Sequence, residues 1–425
     1  MSTLTTATTI TEASCADDYD PNSMPVAKAR AFIHQFLEPV QGTVRVPVRD
    51  ALGRVLAEDI LSPVDVPSHR NSAMDGWAVR GADLGAGETT LTEIGVSFAG
   101  KPFSGKVAAG QCVRIMTGGV VPEGADTVVM QERAKASGKS IAFAAGQKTG
   151  QNVREAGEDL KRGSLALARG RIVRPAELGL IASLGVGEIG VYRRLRVAFF
   201  STGDELKSIG TTLGEGEIYD SNRYTLHGML GRLGCEVLDM GVVRDDPELI
   251  ERAFAEASAA ADVVITSGGV SVGEADFVKS MLAKLGEVVF WKIAMKPGRP
   301  LAYGKIGAAH FFGLPGNPVS VMVTFYQFVR DAMLVLMGAD PVASIPTFRA
   351  TCTVKLRKAP GRTEFQRGVL TQAPDGTLTV KPTGEQGSGI LKSMSDANCF
   401  IILGDATGNV EAGTSVEVQL LEGII

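Results

Sequence analysis

The chain has 425 residues, a net charge of −4 and a sequence pI near 5.8. One hydrophobic core does not serve that length, so several domains are expected. Apolar residues at 44% and charged residues at 21% are the balance of an ordinary globular protein, and the acidic total excludes a globally basic surface for nucleic acid.

Residues 1–22, rich in Ser, Thr, Ala and Asp, read as a disordered tail. No basic start precedes an apolar run there, and no segment reads as long and apolar enough to span a bilayer, so a cytoplasmic location without membrane contact is expected. Residues 23–62 and 158–192 are expected to form a helical and mixed linker domain. A helix from about Pro25 carries Val26, Ala29, Phe32, Ile33, Phe36 and Leu37, and a mixed helical stretch follows around Asp50–Ala57. Between them, residues 63–157 turn glycine-rich with short β-type runs such as Cys112-Val-Arg-Ile-Met and Asp126-Thr-Val-Val-Met, which predicts an inserted β-rich domain.

Residues 193–338 alternate strand and helix, predicting a doubly wound domain with a parallel-type sheet. Its strands are Arg196–Ser201, Glu236–Val243, Asp262–Ser267, Val288–Ile293 and His310–Leu314. Its helices are Arg223–Leu233, ended by Gly234, Pro247–Ala260 with Asp246 as N-cap, Asp276–Leu285, and a long one from Asn317 to Met337. Residues 345–425 return to β texture, with strands expected at Thr351–Leu356, Thr377–Lys381, Cys399–Leu403 and Ser415–Leu420, and a C-terminal β-barrel domain follows. The fold class is thus multidomain α/β plus β.

Cys15, Cys112, Cys235, Cys352 and Cys399 are far apart, without a C-x-x-C pair, which favours isolated thiols over a zinc site or disulfide framework. The four histidines, His34, His69, His227 and His310, are equally scattered and read as structural.

Several strings could carry chemistry. Thr266-Ser-Gly-Gly-Val-Ser-Val-Gly-Glu-Ala-Asp276 runs from a buried strand into a helix, where small residues let backbone N–H groups approach an anion; Asp276 alone could simply complement the helix dipole. Gly313-Leu-Pro-Gly-Asn-Pro318 stands at another strand-to-helix junction, with Asn317 as cap and Pro318 at the first helical position. Ser201-Thr-Gly-Asp-Glu-Leu206 and Asp245-Asp246 follow two further strands. Glu205, Asp245 and Asp276 therefore fall at one sheet edge, where three carboxylates repel unless a cation or proton sits among them, or each simply serves its own turn or helix start. In Trp291-Lys-Ile-Ala-Met-Lys-Pro-Gly-Arg-Pro300 a continuous strand would point Lys292 and Lys296 to one face, and with Arg299 they could bind a dianion, or form only a solvated basic edge. Spacing alone assigns nothing to Asn71-Ser-Ala-Met-Asp-Gly-Trp-Ala-Val79, Arg114-Ile-Met-Thr-Gly-Gly119, Arg362-Thr-Glu-Phe-Gln-Arg-Gly368 or Gly387-Ser-Gly389.

Taken together, and in this order from about Pro25 to the end, N-S-A-M-D-G, R-I-M-T-G, V-R-E-A-G-E-D, S-T-G-D-E-L, S-G-G-V-S-V-G-E-A-D, K-P-G-R-P and G-L-P-G-N-P closely resemble the molybdopterin molybdotransferase (MoeA-type molybdenum insertase) family. The departures are light: Trp77 stands where Tyr is frequent and Arg299 where Lys is frequent.

The resemblance implies an elongated homodimer of four-domain chains, with a cleft between the third and fourth domains of one subunit and the second domain of the other. It implies molybdenum cofactor biosynthesis, in which adenylylated molybdopterin is cleaved with Mg2+ or a similar divalent cation, AMP leaves, and molybdate supplies the metal to the pterin's dithiolene. By motif position, Glu205, Asp245 and Asp276 would serve the cleavage and metal site, with Asp75 a further acidic group. Lys292 and Lys296 would face phosphate, and Arg299, Arg367 and Ser388 would hold molybdate. Thr117, Gly268, Gly269, Ser271, Gly273, Pro315, Gly316, Asn317 and Pro318 would line the substrate site, Asp75 and Thr117 reaching it from the second chain. Arg154 lies in a matching motif without an assigned role. A separate molybdopterin adenylyltransferase is expected to supply the substrate. The alternatives are that this chain is itself the adenylyltransferase, or a non-catalytic scaffold of the same fold.

Overall fold

The computed structural model of the chain describes residues 23–268 and 284–421, the Phe290 side chain excepted. The expected tail, residues 1–22, lies outside the described residues, as do Gly269, Ser271, Gly273 and Asp276.

The centre of the molecule is a six-stranded sheet in the order Glu236–Val243, Arg196–Thr202, Val263–Ser267, Ala309–Leu314, Pro300–Ile306, Gly286–Lys292. The first four strands are parallel. Arg196–Thr202 is buried at every residue after Arg196, as a strand covered on both faces must be. Its alternation sorts Val197 and Phe199 into one core and Ala198 and Phe200 into the other. The Pro247–Ala260 helix covers the second face with Ile250, Ala253, Phe254 and Ala257, and Asp246 caps it by accepting from the N–H groups of Glu248 and Leu249 at 2.9 and 3.0 Å.

Three features differ from the sequence expectation. The sheet is mixed, not all parallel: Pro300–Ile306, unpredicted as a strand, returns antiparallel to Ala309–Leu314, because only Gly307 and Ala308 join them and so short a connection permits only a hairpin. The helix expected at Arg223 spans Ser221–Arg232, because Asp220 caps it, accepting from the Arg223 N–H at 3.2 Å. The long helix, Pro318–Leu336, contains a π turn at Phe325–Val329, where Arg30 Nε donates to the Gln327 carbonyl at 2.7 Å. Contrary to the reading that no segment suits a bilayer, this helix is long and apolar enough, with a mean hydropathy of 1.4, but 83% of that window is buried inside the protein, as in a core helix.

The N-terminal helix, Val26–His34, also belongs to this core and not to the linker unit. Ala29 and Ile33 are buried in it, and Phe32 meets Trp291 edge-on with centroids 4.9 Å apart. Met24 is stitched to the adjoining segment by bonds to Lys292 O and Ala294 N, both 2.9 Å. The linker unit is instead built by Thr43–Pro47 pairing with Glu188–Tyr192 and Ile60–Leu61 with Leu165–Leu167, over a core of Leu56, Ile181, Ile189 and Val191. Around Asp50–Ala57 only the 3-10 turn Val48–Ala51 is helical; Val55 and Leu56 bridge to Ile172 and Val191 as extended chain.

The insertion is a six-stranded sheet ordered Thr127–Met130, Gly76–Val79, Gln111–Ile115, Thr89–Ser97, Ser140–Phe143, Ala134–Ser137. In the C-terminal unit Thr363–Gln372, Leu378–Pro382, Thr347–Cys352, Ser415–Leu420 and Cys399–Leu403 pair in turn, and the last pairs back to the first, closing a five-stranded barrel. Thr363–Gln372 is a strand where the sequence offered only a motif. It also pairs in parallel with Met295–Lys296, opposing Lys296 to Glu364 and joining the barrel to the α/β unit.

Candidate active site

A cavity of about 1320 Å3 opens beyond the carboxyl ends of Arg196–Thr202, Val263–Ser267 and Ala309–Leu314, and the Gln386–Leu391 segment of the barrel unit closes its far side. Such strand ends are where open α/β sheets bind ligands, because loops and helix N-termini converge there. Of the residues singled out by sequence, Glu205, Asp245, Gly268, Lys296, Arg299, Pro315, Gly316, Asn317, Pro318 and Ser388 line it.

The acidic side comes from two turns held together: Asp204 Oδ1 accepts from the Asp245 N–H at 3.4 Å. The Glu205 carboxylate folds back over Gly203, so close that a Cβ on Gly203 would lie 2.6 Å from Glu205 Oε2. Any side chain at position 203 would push the carboxylate away. Among the described residues no three His, Cys, Asp or Glu side chains cluster as a metal centre, and Asp276, expected as the third carboxylate, is not described.

The basic side differs from expectation. Lys292 and Lys296 do not share one continuous strand: Lys292 ends Gly286–Lys292, nine-tenths buried and not lining the cavity, and Lys296 lies in the next short strand. The chain bends at Ile293-Ala294, where the Met295 N–H donates back to the Ile293 carbonyl at 2.7 Å. Lys296 Nζ stands 3.5 Å from Glu364 Oε1, and the buried Glu364 carboxylate is held by Gln366 Nε2 at 2.9 Å. The next turn is pressed against the core helix. Gly298 has φ +91°, and a Cβ there would lie 2.5 Å from Thr324 Oγ1, so this close approach requires glycine.

Asn317 occupies the N-cap position with Pro318 first in the helix, but its side chain makes no capping bond. The reason is local: the Ser388 carbonyl already accepts the Val319 N–H at 3.1 Å, a bond an Asn cap could have made. Ser388 thus closes the helix N-terminus from the barrel side.

Arg367 does not line the cavity. It is 1% exposed and fastens the loop from behind, donating from Nε to Ser393 Oγ at 3.0 Å and from Nη2 to the Gly387 carbonyl at 2.9 Å. Burial pushes its pKa down to about 10.

Asp75 and Thr117, 42 residues apart, meet in the insertion: the Thr117 N–H and Oγ1 donate to Asp75 Oδ1 at 2.7 and 2.8 Å. These bonds hold the exposed Asp75 carboxyl below its ordinary range. Neither residue lines this chain's cavity.

The sequence reading missed Thr202, Asp220 and Asn222, buried residues that line the cavity. Asn222 Nδ2 donates to Ser267 Oγ at 2.8 Å and to the Gly316 carbonyl at 2.6 Å, tying a strand end to the Pro-Gly-Asn-Pro turn. The available signal was Asp220 immediately before an apolar-periodic helix.

Three family models match in chain order: the "MoeA N-terminal region (domain I and II)" over residues 24–185, a "probable molybdopterin binding domain" over residues 198–334, and the "MoeA C-terminal region (domain IV)" over residues 349–421. The molybdopterin molybdenumtransferase of Haemophilus influenzae is 47% identical over 388 residues, 91% of this chain and 96% of that protein. That of Nostoc sp. is 38% identical over 394 residues, 91% and 90% of the two chains. The crystal structure of the molybdopterin biosynthesis moeA protein from Pyrococcus horikoshii OT3 has a TM-score of 0.80 at 29% identity, covering 94% of this chain and 100% of that one.

Proposed function

The chain belongs to the molybdopterin molybdenumtransferase (MoeA) family, and from that premise we propose how its cavity performs the reaction. It is a transferase of molybdenum cofactor biosynthesis that inserts molybdenum into molybdopterin, with molybdopterin and molybdate as substrates.

The pterin enters as its AMP adduct, made by a separate molybdopterin adenylyltransferase, and AMP leaves as molybdate is consumed. The observation that carries this reading is the polarity of the cavity: Glu205 and Asp245 come from one pair of strand ends, Lys296 and Arg299 from another segment, and the Ser388 loop closes over the helix N-terminus. Cleaving a phosphoanhydride requires an oriented water and neutralised phosphoryl oxygens. Glu205 and Asp245 orient the water by accepting its hydrogens. Mg2+ is commonly held by one or two carboxylates together with substrate phosphate oxygens, and Glu205 and Asp245 are the residues that would hold it. Such an ion, when bound, neutralises charge on the phosphoryl oxygens. Lys296 and Arg299 draw the molybdate dianion, and Arg367 keeps the Gly387–Gly389 loop in place to receive it.

Asp75 and Thr117 come to the cleft from a second copy of the chain, in a cytoplasmic homodimer. Their prearranged bonding favours an ionised Asp75 for that role. The test is AMP release from adenylylated molybdopterin by the purified full-length chain, with and without molybdate. Molybdate-dependent release, reduced about 100-fold or more in Glu205→Gln, is expected. Release indifferent to molybdate, or accumulation of pterin-AMP from ATP and molybdopterin, would overturn the reading.

A further inference from the structure

Thr202, Asp220 and Asn222 are 8%, 2% and 7% exposed, yet each leaves one buried oxygen without a hydrogen-bond partner among the described residues: Thr202 Oγ1, Asp220 Oδ2 and Asn222 Oδ1. All three residues line the cavity. Their structural duties account for only part of each side chain. Asp220 Oδ1 caps the Ser221–Arg232 helix by accepting from the Arg223 N–H, and Oδ2 has no duty in that cap. Asn222 Nδ2 donates to the Gly316 carbonyl, which can only accept, so the amide cannot be turned over and Oδ1 is fixed as the remaining face. Folded proteins rarely leave buried polar oxygens dry; the Asp220 and Asn222 oxygens can only accept, the Thr202 hydroxyl can also donate, and their place in one cavity calls for a ligand that donates.

We infer that Thr202, Asp220 and Asn222 form the subsite for the 2-amino-4-oxo edge of the pterin ring, its ring N–H and exocyclic NH2. This rests on the molybdopterin reading above. A carboxylate oxygen and an amide oxygen are acceptors only, and that edge offers two adjacent donors. Adenine, the other heterocycle of the proposed substrate, sets an acceptor nitrogen beside its amino group, which would confront one of the two oxygens with another lone pair. A divalent cation is less suited, because Asp220 is the one formal charge among the three, whereas Glu205 and Asp245 offer two elsewhere in the cavity. The arrangement also separates tasks: Asp220 and Asn222 seat the heterocycle, and the lysine and arginine segment handles the anion.

The test compares Asp220→Asn and Asp220→Ser with the wild-type full-length chain. Both replacements retain a helix cap, so unchanged melting separates lost recognition from misfolding. Equilibrium dialysis would use three probes: pterin, its 2-oxo analogue lumazine, and AMP. The wild type is expected to bind pterin about tenfold or more tightly than lumazine, and both variants to lose about tenfold in pterin affinity with AMP affinity unmoved. With adenylylated molybdopterin the loss falls on KM rather than kcat. Equal pterin affinity in the variants, a loss confined to AMP, or a wild type that does not separate pterin from lumazine would each overturn the proposal. Molybdate-dependent AMP release by the same wild-type preparation reports on the insertion reading independently, so either can fail alone.

Discussion

Replacing Gly298 by Ala should damage the site through two separable costs. The first is backbone strain: an L-residue held at φ +91° is strained by about 1–2 kcal/mol. The second is overpacking, since the new Cβ would lie 2.5 Å from Thr324 Oγ1, with Met295 Cε 3.4 Å away, in a core where extra volume costs about 1–3 kcal/mol. The sum is about 2–5 kcal/mol, or a fall in the α/β unit's melting temperature of roughly 4–20 °C. Thr324 offers a way to divide it. Its Oγ1 is buried and has no partner among the described residues, so Thr324→Ala removes the colliding atom without breaking a bond, at about 1 kcal/mol for the buried methyl lost with it. The double variant should recover the overpacking part and retain the strain. Calorimetry would be followed by AMP-release kinetics, where Gly298→Ala should raise KM for molybdate because Arg299 adjoins the displaced turn. A Gly298→Ala protein melting like the wild type, or a double variant no more stable than the single, would refute the reasoning.

His310 should set part of the acid stability. It is buried against Tyr303, and burial, then Lys305, depress its pKa from 6.5 to about 4, with Asp262 opposing. The folded value lies below the unfolded one, so no stability is lost above pH 6.5, and about 3 kcal/mol is lost as pH falls from 6.5 to 4. His310→Gln should flatten that part of the urea-midpoint profile; an unchanged slope would assign it elsewhere. If the cleft is shared between subunits, Asp75→Asn and Glu205→Gln should each be inactive, whereas a re-associated equal mixture should recover roughly a quarter of wild-type AMP release. No recovery despite subunit exchange would contradict sharing. Arg367→Lys keeps the charge but loses the planar fork that reaches both Ser393 Oγ and the Gly387 carbonyl, so KM for molybdate should rise about tenfold with the fold intact. An unaltered KM would mean that the loop holds without it.

What the sequence disclosed follows from the range of the physics involved. Val263–Ser267 and Pro247–Ala260 were legible because apolar periodicity and an Asp-Pro start are local properties. The turns after the strands were legible as a common edge, where the cavity opens, because a parallel sheet gathers its strand ends. Long-range choices were not. Nothing near Val26 says that its helix will pack on Trp291, and nothing near Pro300 fixes it in a hairpin until Gly307-Ala308 is seen to be the whole connection. Charged side chains were the least legible, because a cation's role depends on what its head group reaches. Arg367 matched a motif and is spent on a serine hydroxyl and a loop carbonyl behind the cavity wall.

Lys296 carries that point furthest. Sequence spacing set it beside Lys292, yet the carboxylate its head group meets is Glu364, 68 positions later and on the barrel. A half-exposed lysine beside a buried carboxylate is partly neutralised before any anion arrives, and the neutralising group belongs to the other structural unit. The proposed affinity of the cavity for a dianion would therefore depend on the contact between the two units as well as on the residues that line it. A shift of the barrel away from the sheet would remove the Ser388 carbonyl from the Val319 N–H and Glu364 from Lys296 together. The first change would expose a helix N-terminus and the second would release a cation, while the same shift would withdraw the Gly387–Gly389 loop proposed to receive the anion, so the contact sets charge against enclosure.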